Sequence, residues 1–123
     1  MKRDIEFIRQ ALFDIEENAP PLEFYQILES MVNKGYEKSF SFAQLELMES
    51  AGLFGLTTKD FGECFAVIGL SNRGYDFLES IRNDVVWKKT KNEIEEKKLP
   101  KTIKFIAEVA GTFIGELLKH KND

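Results

Sequence analysis

Two hydrophobic rhythms alternate along the chain. Ile5, Ile8, Ala11, Leu12 and Ile15 recur at steps of three and four, which predicts a helix over about Asp4 to Glu17 with one apolar stripe. Asn18-Ala19-Pro20-Pro21 ends it, because proline donates no backbone hydrogen bond and pushes the residue before it out of the α region. Phe24, Tyr25, Ile27, Leu28, Met31 and Val32 then cover a broad face of a second helix, closed by Gly35, which tolerates positive φ. A third helix is predicted over Ser41 to Ser50, capped by Ser39 or Ser41. Its inward positions are Phe42, Leu45 and Met48, and it stops at Gly52.

At Leu53 the rhythm changes. Leu53 to Thr57 and Cys64 to Leu70 read as two short strands around a turn-rich tip, which is a hairpin. "SNRGYDFLESIRNDVVWKK" then returns to helical spacing, with Ser71 as the cap and Gly74 allowing the first turn to approach a neighbour closely. Phe77, Leu78, Ile81 and Val85 continue the buried stripe, and Trp87 extends it. Near the end of a charged stretch from Glu95 to Lys101, Pro100 opens a last helix in which Ile103, Ile106, Ala110, Phe113 and Leu117 form one apolar face. Three helices, a hairpin and a helix follow the order of a winged helix. The expected fold class is mainly α with a small β-hairpin (α+β). Residues 1–87 form the winged helix-turn-helix, and 88–123 a helical extension made of a basic linker and an amphipathic helix.

Composition narrows the chemistry. A chain of 123 residues, 43% hydrophobic and 31% charged, can build one core without staples. Cys64 alone permits no intramolecular disulfide, and with His120 as its sole histidine companion there is no Cys/His zinc set, so a reducing, cytoplasmic setting is expected. Charges at Glu6 and Arg9 interrupt any signal-peptide core. Val109 to Gly115, the longest uncharged run of the last helix, falls far short of the roughly 20 apolar residues of a bilayer span, so no membrane partner is expected. No glycine loop for phosphates, nucleophile with partners or metal-spaced acid cluster stands out, and the expectation is a non-enzyme without cofactors.

Charge is unevenly placed. Met1 to Trp87 carries 8 basic and 15 acidic residues, whereas Lys88 to Asp123 carries 9 basic and 6 acidic. In a helix-turn-helix the third helix reads base edges with Arg, Lys, Asn or Gln. Here only Gln44 suits a base, and Glu46 and Glu49 would meet phosphates with like charge. The wing adds Lys59, and the remaining candidates for duplex DNA are Lys88, Lys89, Lys91, Lys97, Lys98 and Lys101. A competing protein-binding surface is Leu47, Phe54 and Phe61. The stripe Ile106, Ala110, Phe113 and Leu117 is the candidate surface for a homodimer, with folding back onto its own domain as the alternative.

Three blocks add a resemblance. "MKRDIEFIRQALFDIEE", "LELMESAGLFG" and "LSNRGYDFLESIRNDVVWKKTK" resemble the domain of unknown function 2513 family of small bacterial and phage proteins, over most of the chain. The matching positions include Arg3, Asp4, Arg9, Gly52, Leu70, Gly74, Phe77, Arg82 and Trp87. The third block ends in the manner of winged-helix regulators and the YjcQ-like proteins. This likeness implies a winged-helix fold and a phage or mobile-element setting. Asn72-Arg73 stands where the family tends to have Trp-Glu, and Tyr75 where it tends to have His. Two functions fit: a regulator contacting duplex DNA, or an adaptor that binds protein through the same scaffold.

Overall fold

Asp4 starts the first helix. Its carboxylate accepts from the Phe7 amide at 3.0 Å and so caps α1 (Ile5–Glu17), satisfying one of the free amides of the first turn. In the computed structural model, which describes residues 2–18, 22–59 and 64–121 except for the side chains at 57–59, 64, 65, 120 and 121, eight further elements follow. These are β1 (Leu22–Glu23), α2 (Phe24–Asn33), α3 (Lys38–Ser50), β2 (Phe54–Lys59), β3 (Cys64–Leu70), α4 (Asn72–Ile81), α5 (Asp84–Glu96) and α6 (Ile103–Lys121). Six helices and one three-stranded antiparallel sheet among the described residues make the chain mainly helical α+β.

Two compact units divide it, Met1–Tyr75 and Asp76–Asp123. In the first, α1 buries Ile5, Phe7, Ile8, Ala11, Leu12 and Ile15, the stripe read from the sequence plus Phe7. Phe7 meets Tyr36 and Phe40 edge to face at 5.0 and 5.9 Å between ring centroids. β3 is the central strand. It pairs with β1 at Leu22↔Val67 and with β2 from Phe54↔Leu70 to Lys59↔Cys64, and the register slips between Gly55 and Leu56 so that Ile68 is skipped.

Burial, and then the Asp4 and Glu6 carboxylates, push the Tyr36 hydroxyl above its usual value of 10.0. The folded state therefore holds this proton more tightly than the unfolded chain. Its contribution to stability is intact below about pH 10 and is lost as pH rises through the higher folded value. Urea midpoints taken from about pH 8 to 11 should fall more steeply for the native chain than for Tyr36→Phe.

Helix ends explain two of the glycines. At the ends of α2 and α3, Gly35 and Gly52 adopt φ of +103° and +78°. The next amides, Tyr36 and Leu53, donate back to the Met31 and Met48 carbonyls at 3.3 and 3.1 Å, the pattern of a Schellman turn. α5 ends in the same way, with the Leu99 amide on the Ile94 carbonyl at 2.9 Å, but its left-handed residue is Lys98 at φ 51°. A side chain there is strained by about 1 kcal/mol or more. Lys98→Gly should raise stability by about 1 kcal/mol in urea unfolding.

Three sequence expectations need correction here. α3 begins at Lys38 with Glu37 as N-cap, so Ser39 and Ser41 lie inside its first turn. β1 was not expected, being a two-residue strand. The helix expected to run on from Ser71 through Trp87 is two helices, because the Asn83 side chain accepts from the Val85 and Val86 amides at 2.9 and 3.1 Å and restarts the helix. That restart shifts the phase: Val86 and Trp87 are buried, and Val85 is 52% exposed. The expected boundary after Trp87 falls within α5.

Candidate interaction site

The rotation of α3 about its axis decides what this protein shows to a partner. Its buried face is Ser41, Gln44, Leu45 and Met48. Phe42, expected inside, is 44% exposed. Polar side chains hold buried positions only when their hydrogen bonds are made, and here they are. Ser41 Oγ donates to the Glu37 carbonyl at 2.8 Å. Gln44 Oε1 accepts from the Asp4 amide at 2.9 Å, and Gln44 Nε2 donates to the Lys2 carbonyl at 2.8 Å. With no exposed surface and both polar ends engaged, Gln44 is closed to a base edge, and its expected role in reading DNA is corrected to anchoring the backbone before α1.

The same rotation brings Phe42, Glu46 and Glu49 outward at i, i+4 and i+7, one face of the helix. Phe42, Glu46 and Glu49 line a depression of about 200 Å³ with Phe24 from the start of α2 and Leu56 from β2. The Phe24 and Phe42 rings meet edge to face, 5.7 Å between centroids and 80° between planes. Among the described residues neither the Glu46 nor the Glu49 carboxylate has a hydrogen bond or an ion pair. A second depression, about 430 Å³, is lined by Tyr25, Leu28, Glu29, Val32, Asn33 and Lys38. Tyr25 is 53% exposed.

Other candidates are dispersed. Leu47 is half-buried, and Phe54 is buried at the start of β2, which removes it as a surface contact. Phe61 and the Lys59 side chain lie outside the described residues, as do the side chains of Cys64 and His120. Among the described residues no group of three His, Cys, Asp or Glu could hold a metal, and no helix is long and apolar enough to cross a membrane.

In the second unit α5 packs on α6. Ile106 and Ala110 are fully buried in their own chain and so cannot also meet a second copy, which corrects their place in an intermolecular stripe. Phe113 and Leu117 are half-buried. Lys89 lies over the Phe113 ring and Lys91 over Trp87, at 6.0 and 5.8 Å from the centroids. Lys97 pairs with Glu93, whose carboxylate raises its pKa. Lys88, Lys98, Lys101 and Lys104 are exposed on α5, at the turn and at the start of α6. Phe24 and Leu56 were missed by sequence reasoning; the one available signal was the i, i+4, i+7 spacing of Phe42, Glu46 and Glu49.

Together these features define a small, mainly helical α+β protein with an aromatic, acid-edged depression between α2, α3 and β2. The chain belongs to the family described as "Hypothetical protein (DUF2513)", whose model matches residues 2–100, as the three sequence blocks indicated. It is similar to an uncharacterized protein of Haemophilus influenzae, 29% identical over 120 residues that cover 96% of this chain and 99% of the relative. No solved structure matches it. The family match stops at Pro100, just before α6.

Proposed function

We propose that the chain is a non-enzymatic interaction module of winged-helix type, and that the exposed face of α3 binds protein rather than the bases of DNA. The order helix, short strand, two helices and hairpin, with strands arranged β1-β3-β2, supports the winged-helix reading. One observation carries the choice of partner. Gln44, the residue expected to read a base, is inside, and the middle of α3 offers solvent Phe42, Glu46 and Glu49, with Lys38 exposed at the start of the helix. Two carboxylates would repel phosphates, whereas an exposed aromatic beside a depression suits a protein contact. The phage or mobile-element setting implied by the family resemblance fits a small regulatory adaptor.

A paired selection tests this. Random duplex DNA should yield no consensus sequence. Peptides selected from a random display library should lose at least about tenfold in affinity with Phe42→Ala, which corresponds to about 1.4 kcal/mol. A DNA consensus whose binding depends on α3 would overturn the reading.

The exposed lysines of α5 and the turn after it favour a second, weaker activity, sequence-independent contact with nucleic acid. Lys88→Glu combined with Lys89→Glu should weaken duplex binding equally across sequences. Each neutralised contact should also lower the slope of log affinity against log salt by about 1. Unchanged binding would remove this activity.

A further inference from the structure

The depression between Phe24, Phe42 and Leu56 is lined by acids as well as by apolar groups, and that combination restricts what can fill it. We propose that it receives a lysine or arginine side chain from an amphipathic cationic segment of a separate protein. The inference rests on the protein-binding reading and adds the chemistry of the partner. Glu46 and Glu49 are three residues apart on one helix, hence neighbours on its surface, where like charges disfavour each other. No described residue neutralises either. A cation placed between them relieves that repulsion. Its aliphatic stem lies on the two phenyl rings, since long basic side chains bury their methylenes on apolar surface and keep the charge outside.

Edge-to-face packing leaves a ring face available to a cation, the arrangement that a cation–π contact uses. Longer-range charge acts in the same direction. Residues Met1 to Tyr75 hold 12 acidic and 7 basic residues, and a field of that sign draws a basic segment in and raises its rate of association. Tyr25 and Val32, both exposed on α2, the helix that begins with Phe24, are apolar groups that the other face of such a segment can meet, as when an amphipathic helix lies in a groove.

The test uses the full chain and a fluorescein-labelled 14-residue helical peptide of leucine and lysine, with matched peptides carrying glutamine or glutamate in place of lysine. Fluorescence anisotropy should show binding of the lysine peptide. Glu46→Gln combined with Glu49→Gln should weaken it at least tenfold, and Phe42→Ala by a similar factor. Glu17→Gln, an exposed acid at the end of α1, should change it less than twofold. Thermal melts establish that each variant is folded, and Phe42→Leu, which keeps the apolar bulk, should retain most of the affinity.

Equal weakening by Glu17→Gln would mean attraction to the overall charge and would overturn the site. Equal binding of the glutamine peptide, still lost with Phe42→Ala, would overturn the cation while leaving the protein-binding groove standing. No effect of Phe42→Ala on any peptide would bring down the groove reading itself. Self-association of the native chain that disappears in the double glutamine variant would make the occupant a second copy and overturn the assignment to a separate partner.

Discussion

Gly74→Ala is expected to destabilise the chain by about 3 kcal/mol, at the upper end of what overpacking costs. A β-carbon on Gly74 would stand 2.0 Å from the Leu53 carbonyl oxygen and 3.0 Å from its carbon. These are backbone atoms, so no side-chain rotation relieves the clash. The carbonyl is also fixed, because it accepts from the Ser71 amide at 3.1 Å. Ser71 Oγ in turn accepts from the Gly74 amide at 3.0 Å and donates to the Gly52 carbonyl. Moving α4 outward with its cap to admit one methyl group would stretch both bonds from Ser71 to the Gly52 and Leu53 carbonyls. Gly111→Ala is the contrasting substitution. Nothing lies within 4 Å of a β-carbon there, and the position is inside α6. Removing a flexible residue from a helix interior should stabilise by about 0.5 to 1 kcal/mol. Urea unfolding of the two variants should give midpoints on opposite sides of the native value. A native-like midpoint for Gly74→Ala would refute the junction.

Gln44→Ala should cost about 2 kcal/mol. It strands the Asp4 amide and the Lys2 carbonyl, which Gln44 satisfies across 40 and 42 residues of sequence, and it leaves a space beside α3. Gln44→Glu is more diagnostic. A carboxylate keeps the acceptor for the Asp4 amide but loses the donor to Lys2, and burial raises its pKa above that of an exposed glutamate. A raised folded pKa places the variant's stability on the acid side, so it should be closer to native near pH 4 than near pH 7. Urea midpoints at both values check the sign. Neither variant should change DNA affinity beyond what partial unfolding explains, and a folded Gln44→Ala that lost binding to one DNA sequence would restore the base-reading role.

Where side-chain type and burial agreed, the sequence was a good guide. Ile5, Ile8, Ala11, Leu12 and Ile15 are all buried. Ser71 caps α4 as its position before an amphipathic run suggested. The hairpin strands fell within two residues of their expected bounds. α3 was misread because its interior side contains Ser41 and Gln44, whose bonds reach the Glu37 carbonyl and the backbone of residues 2 and 4. No local pattern announces a partner 40 residues away. Once Gln44 is placed inside, Phe42 must turn out, and the candidate groove follows from that single rotation. Its walls come from α2, α3 and β2, which only the tertiary fold brings together. The break at Asn83 was within reach, since an Asn-Asp pair before a new apolar step is an N-terminal signal. The Lys98 turn was not, because nothing in a lysine marks left-handed backbone.

The bonds from Gln44 to residues 2 and 4 also set a clock on biosynthesis. A ribosome adding roughly 5 to 20 residues per second needs about two to eight seconds to make the stretch between Lys2 and Gln44. The Asp4 cap is local to α1 and is made early, but the backbone before it lacks until then the side chain that will hold it. The beginning of this fold is therefore completed from a segment synthesised later. A chain ending before α3 would lack both the side chain that holds the backbone before α1 and the cover that α3 gives the apolar stripe from Ile5 to Ile15.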